Sequence, residues 1–217
     1  MHKRHLIISG TGRAGTTFLV QLLTELKLDT GYSNPWEKIH ANCNAGMEWD
    51  IRKENAPYIV KSPALCDYLD DFLKTGRAII DHAIVPVRDL HSAAESRREV
   101  ARKGYLKFLT PRRFLFWRIR NPKDQENVLT HHLYQLIHTL AMHDIPLTLL
   151  SFPRLAKDPE YLFRKLEFLL KGTGFDDFRK AFQRVSRPDM IHDFTKGREG
   201  VSNQAGMGAL PEPLEQR

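Results

Sequence analysis

The sequence predicts an α/β protein: a central parallel sheet with helices on both faces, in three α/β/α layers. Two observations carry this. Short apolar runs of strand length alternate with longer stretches of helical periodicity, as they do where helices connect parallel strands. The first apolar run, Leu6-Ile7-Ile8, passes through a glycine-rich turn directly into a helical stripe of Phe18, Leu19, Leu22, Leu23 and Leu26. At 217 residues, with 41% hydrophobic and 27% charged residues, the chain suits a single domain spanning residues 1–217 with a substantial core.

The pattern places strands at 5–9, 58–61, 83–87 and 147–152, with a further short strand at 30–33. Helices are expected from Gly15 onward and at 64–74, 92–103, 126–143, 159–170 and 175–185. Segment 31–57, rich in Asn, Pro and Trp, and the tail from Gly197 break the rhythm; 31–57 and 104–125 suit an acceptor site or lid. Glycines and prolines make 206–217 a loosely ordered tail.

The apolar run near the N-terminus is too short for a signal-peptide core, and no stretch approaches the roughly 20 residues of a membrane span. A cytoplasmic location is the expectation. Cys43 and Cys66 lack CxxC spacing and are expected as reduced, inert thiols. The net charge of +7 points to anionic partners, without choosing among nucleotides, nucleic acid, acidic glycans and membrane surfaces.

The turn Gly10-Thr11-Gly12-Arg13-Ala14-Gly15-Thr16-Thr17 lies between strand and helix. Its glycines let successive N–H groups converge on one concavity, and the helix N-terminus adds about half a positive charge there. The spacing matches the P-loop G-x-x-x-x-G-K-[ST] except that Thr16 stands where lysine belongs. The cation appears earlier instead, as Arg13.

That arrangement resembles the 5′-phosphosulfate loop of the sulfotransferases that use 3′-phosphoadenosine-5′-phosphosulfate (PAPS), with Ala14 in place of the usual Ser. The resemblance continues along the chain. Arg88-Asp89-Leu90 with Ser96 resembles the family's 3′-phosphate motif, Leu90 replacing a proline. The run 149–155 with Asp158-Pro159 resembles its next strand and helix start, where Phe152 replaces a tyrosine and keeps an apolar surface for adenine. Phe194-Thr195-Lys196-Gly197-Arg198-Glu199-Gly200 resembles the loop that closes on the 3′-phosphate, with Thr195 in place of an arginine. Tyr58-Ile59-Val60-Lys61-Ser62-Pro63 resembles the Lys-Ser/Thr-Pro segment of the glycan-modifying branch, whose lysine lies near the transferred group.

The resemblance implies a P-loop NTPase-like fold and sulfuryl transfer from PAPS, without a metal, to a hydroxyl or amine acceptor. It implies a nucleotide-binding set of Gly12, Arg13, Ala14, Gly15, Thr16, Thr17, Arg88, Ser96, Phe152, Lys196 and Gly197. Arg13 and Lys61 are the candidate catalytic cations. The cytosolic branch places a histidine base two residues beyond the lysine, where Pro63 stands here. The glycan- and tyrosine-sulfating branches use a Glu in the segment beyond the second strand, and the resemblance points there to Glu37 and Glu48, with His40 and Asp50 also open.

Residues 97–123 hold ten basic residues and one acid, interleaved with Phe108, Phe114, Phe116 and Trp117. This suits a basic surface, or a lid favouring an anionic or amphipathic acceptor or a membrane surface. No nucleic-acid motif accompanies it, and no nucleic-acid partner is expected. Two other functions compete: a P-loop nucleotide kinase with a degenerate loop, and a non-catalytic nucleotide- or nucleic-acid-binding module. His131, His132, His138 and His143 lie on one helix, but no neighbouring Cys or carboxylate completes a metal set, so surface histidines are the expectation.

Overall fold

The computed structural model describes residues 2–40, 45–102 and 124–191. Residues 103–123 of the segment expected to form a basic surface or lid, the loop with Lys196 and Gly197, the tail and Cys43 lie outside the described residues. Four parallel strands form one sheet in the order β4-β1-β5-β6, made of β1 (Lys3–Ile8), β4 (Ile59–Lys61), β5 (Ala78–Val87) and β6 (Leu147–Ser151). β2 (Ile39–His40) and β3 (Ala45–Gly46) pair separately and antiparallel.

Side chains alternate across a strand, so β1 feeds two cores. Leu6 and Ile8 pack with α1 (Thr16–Glu25), α5 (Pro159–Leu166) and α6 (Phe175–Val185). Ile7 faces the other way, toward α2 (Leu69–Lys74) and α4 (Gln125–Met142). Helices thus flank the sheet on both faces, compatible with three α/β/α layers. α3 (Leu90–Arg102) follows β5 and begins where the Asp89 carboxylate accepts from Ser92 N–H at 2.8 Å.

The expected elements recur with instructive shifts. α6 keeps its expected bounds because Phe178, Ala181, Phe182 and Val185 bury one i, i+3, i+4, i+7 stripe. α5 starts at Pro159, with Asp158 Oδ1 accepting from Tyr161 N–H at 2.9 Å, but ends at Leu166 rather than Leu170. β5 begins five residues earlier than expected, at Ala78.

Two expectations are corrected. Residues 30–33 form no strand. Ile59 N–H donates to Asp29 O at 2.8 Å beside β4, but Thr30 N–H turns back to Leu28 O and Gly31 takes φ 72°, which ends any extended run. The helix expected at 64–74 is broken at Tyr68 (φ −145°, ψ 0°) into a 3₁₀ turn, Leu65–Asp67, and α2. No helix among the described residues is long and apolar enough to cross a membrane.

Candidate functional site

The chain leaves β1 toward one side of the sheet to form β4, then crosses to the other side for β5 and β6. The direction of winding therefore reverses at β1/β5, and the crevice beyond the carboxyl ends of such strands is where open α/β sheets hold ligands. The glycine-rich turn after β1 and Arg88 after β5 meet there.

The turn is built on positive φ at Gly10, Gly12, Arg13 and Gly15 (147°, 69°, 58° and 86°). Arg13 is a non-glycine residue in the left-handed region, a conformation that persists where its surroundings enforce it. Gly15 precedes α1, where a Cβ would lie 3.0 Å from both Leu155 Cδ1 and Phe152 Cδ2. The turn therefore sits directly on the segment after β6. α1 begins with Thr16 and Thr17, both buried, and has neither a side-chain cap nor an acid in its first turn.

Two guanidinium groups hold the turn. Arg88 Nη1 donates to Arg13 O at 3.0 Å, and Arg97 Nη2 donates to Thr11 O. Within a trans peptide the C=O and the next N–H point in opposite directions. Fixing the carbonyls of Thr11 and Arg13 therefore directs the N–H groups of Gly12 and Ala14 away from the guanidinium that each carbonyl meets. Arg97 is buried beneath the turn (1% exposed), and burial pushes its guanidinium down to about 10, still charged at neutral pH. It is a residue that sequence reasoning missed, since nothing in a run of basic residues marks one as the buried member.

Arg13 Nε donates to Ser96 Oγ at 3.1 Å, joining the turn to α3. Arg88 Cζ stands 5.0 Å from the centre of the Phe152 ring, so the guanidinium covers that ring while Gly15 approaches its edge. The structure thus brings Gly12, Arg13, Ala14, Gly15, Thr16, Thr17, Arg88, Ser96 and Phe152 together.

Lys61 ends β4 in register with Ile8 and is 3% exposed. A strand-end lysine of this kind is held by acceptors rather than by water. Its ammonium donates to Gly46 O at 2.6 Å, Thr17 Oγ1 at 3.0 Å and Glu48 Oε1 at 3.4 Å. Gly46 itself is dictated by space, since a Cβ there would fall 2.0 Å from Lys38 O.

Of the candidate bases, Glu48 meets the Lys61 ammonium, which also donates to Thr17 Oγ1. Glu37 lies apart, its Oε2 accepting from Ser33 N–H and Ser33 Oγ at 3.2 Å. His40 is exposed on β2. Asp50 is engaged by Arg52, whose hydrogen bonds at 2.7 and 2.8 Å hold its carboxyl below the usual carboxylate range. Comparison with protein-family models and with curated proteins finds no match for this chain.

Proposed function

We propose that the protein is a PAPS-dependent sulfotransferase with a P-loop-like nucleotide site. The observation that carries the reading is the meeting of Arg88 and Ser96 with the turn through Arg13, at 3.0 and 3.1 Å. It offers cations and donors for a nucleotide phosphorylated at both the 5′ and 3′ positions. The turn's amides and Thr16 and Thr17 would hold the 5′-phosphosulfate. Arg88 and Ser96 would hold the 3′-phosphate, with Arg13 between the two ends.

Lys61 and Glu48 supply the chemistry. The acceptor oxygen or nitrogen attacks sulfur in line, the bond from sulfur to the bridging phosphate oxygen breaks, and adenosine 3′,5′-bisphosphate leaves with that electron pair. Glu48 takes the acceptor's proton, and Lys61 stabilises charge building around the transferred group. A fixed cation that binds this charge more strongly in the transition state than in the bound donor raises kcat.

The test is a thermal shift with adenosine 3′,5′-bisphosphate, ATP and ATP–Mg²⁺ side by side. At 100 times Kd, binding stabilises by about 2.7 kcal/mol, or about 5–10 °C in Tm for a chain of this size. A shift specific to the bisphosphate supports the reading; a shift only with ATP–Mg²⁺ assigns the turn to a kinase and overturns it. Glu48→Gln should lose kcat with bisphosphate binding intact, and Glu37→Gln should keep both.

A further inference from the structure

The helix that follows the basic segment carries histidines that no neighbouring residue in the sequence completes into a ligand set. The fold supplies the missing partners from elsewhere. Cys66 and Asp67, in the 3₁₀ turn after β4, pack against α4, so that Cys66 Sγ, an Asp67 carboxylate oxygen and a ring nitrogen of His132 all lie within 4.8 Å of one another. We propose that these three residues bind a divalent transition-metal ion of zinc's class, with the fourth coordination position opening on the adjoining cleft.

Three observations support the site. The first is spacing. With Zn–S of about 2.3 Å and Zn–N or Zn–O of about 2.0–2.2 Å, neighbouring ligand atoms of a tetrahedral site stand about 3.5 Å apart. The Cys66 thiol donates to Asp67 Oδ1 at 3.6 Å, a hydrogen bond whose length matches the cysteine–aspartate edge of a metal-bound set. Closing the site asks His132 for a side-chain adjustment on the order of 1 Å.

The second is access. A cleft of about 300 Å³ is lined by Cys66, Asp67, Asp70, Asp71 and His138. Its carboxylates favour entry of a cation. Asp70 is already engaged by Lys74 and His143, which leaves Asp67 and Asp71 as the acids nearest this role.

The third is softness. The ion would displace the proton of a Cys66 thiol that burial pushes up to about 12, with the Asp67 carboxylate and a neutral imidazole completing the set beside the buried Arg97 guanidinium. A mixed S, N, O set of this kind suits zinc or cobalt rather than magnesium or calcium. The ion would tie the turn four residues beyond Lys61 to α4. The inference is independent of the nucleotide reading.

Cobalt substitution tests it on the full chain after treatment with chelator. Co²⁺ titration should give a thiolate-to-cobalt charge-transfer band that saturates at about one equivalent and is bleached by Zn²⁺. Cys66→Ser should abolish the band and Cys43→Ser should keep it. His132→Gln and Asp67→Asn should each weaken Co²⁺ binding at least ~10-fold, with circular dichroism reporting that the variants are folded. No band in the wild type overturns the site. So does a band that survives Cys66→Ser or disappears in Cys43→Ser. Should Cys66→Ser fail to fold, Asp67→Asn and His132→Gln decide, and wild-type affinity in both overturns the proposal.

Discussion

Replacing Lys61 by methionine separates a catalytic lysine from one that merely fills space at a strand end. Methionine keeps much of the stem's volume and removes an ammonium that donates to Gly46 O, Thr17 Oγ1 and Glu48 Oε1. A hydrogen bond to a charged group contributes about 1.5–3 kcal/mol, and the desolvation of a lysine 3% exposed opposes it. The net expected loss of stability is about 1–3 kcal/mol, a fall in Tm of roughly 2–12 °C.

The effect on chemistry is distinct. If the ammonium makes one such bond more strongly in the transition state than in the bound donor, the same 1.5–3 kcal/mol becomes a fall of about 10- to 150-fold in kcat. The assay is release of adenosine 3′,5′-bisphosphate from PAPS at saturating acceptor, beside the thermal shift given by the bisphosphate alone. The product nucleotide lacks the sulfuryl group, so its binding should change far less than kcat. Normal turnover in a folded Lys61→Met protein refutes the assigned role. Combining it with Glu48→Gln should give a non-additive pair, because the two groups touch at 3.4 Å and each single change already breaks that contact.

Two other predictions follow from the structure. Gly15→Ala puts a Cβ 3.0 Å from Leu155 and Phe152 at φ 86°; left-handed strain of about 1–2 kcal/mol plus overpacking of about 1–3 kcal/mol should lower Tm by about 4–20 °C, and an unchanged thermal melt contradicts the placement of the turn on that segment. His5 is fully buried, with Nδ1 2.7 Å from Pro57 O, and burial holds its imidazole below the ordinary 6.5 and uncharged in the fold. Its contribution is complete above pH 6.5 and is lost as acid forces the ring to charge, so stability should fall below that pH by up to about 1.4 kcal/mol per pH unit for this one proton. Urea melts from pH 7.5 to 5 measure the slope, and His5→Gln should flatten it; an equal slope in both proteins assigns the dependence to other groups.

What the sequence made legible was local. The turn at 10–17 could be read because glycines, an arginine and two threonines sit between an apolar strand and a helical stripe. α6 could be bounded to the residue because its buried stripe lies wholly within one helix. The base could not be chosen, because Glu37 and Glu48 have equivalent local surroundings. What separates them is the close packing of Gly46 against Lys38, which brings the segment at 45–48 over the end of β4 and so against Lys61. Arg97 was hidden for a similar reason: in sequence it is one cation in a basic run, and only the approach of α3 to the turn buries it. Cys66 and His132 meet because the 3₁₀ turn after β4 lies against α4. Each of these choices depends on long-range packing, which neither residue periodicity nor motif spacing encodes. The chemistry proposed for the site rests on those contacts as much as on the motif that first pointed to it.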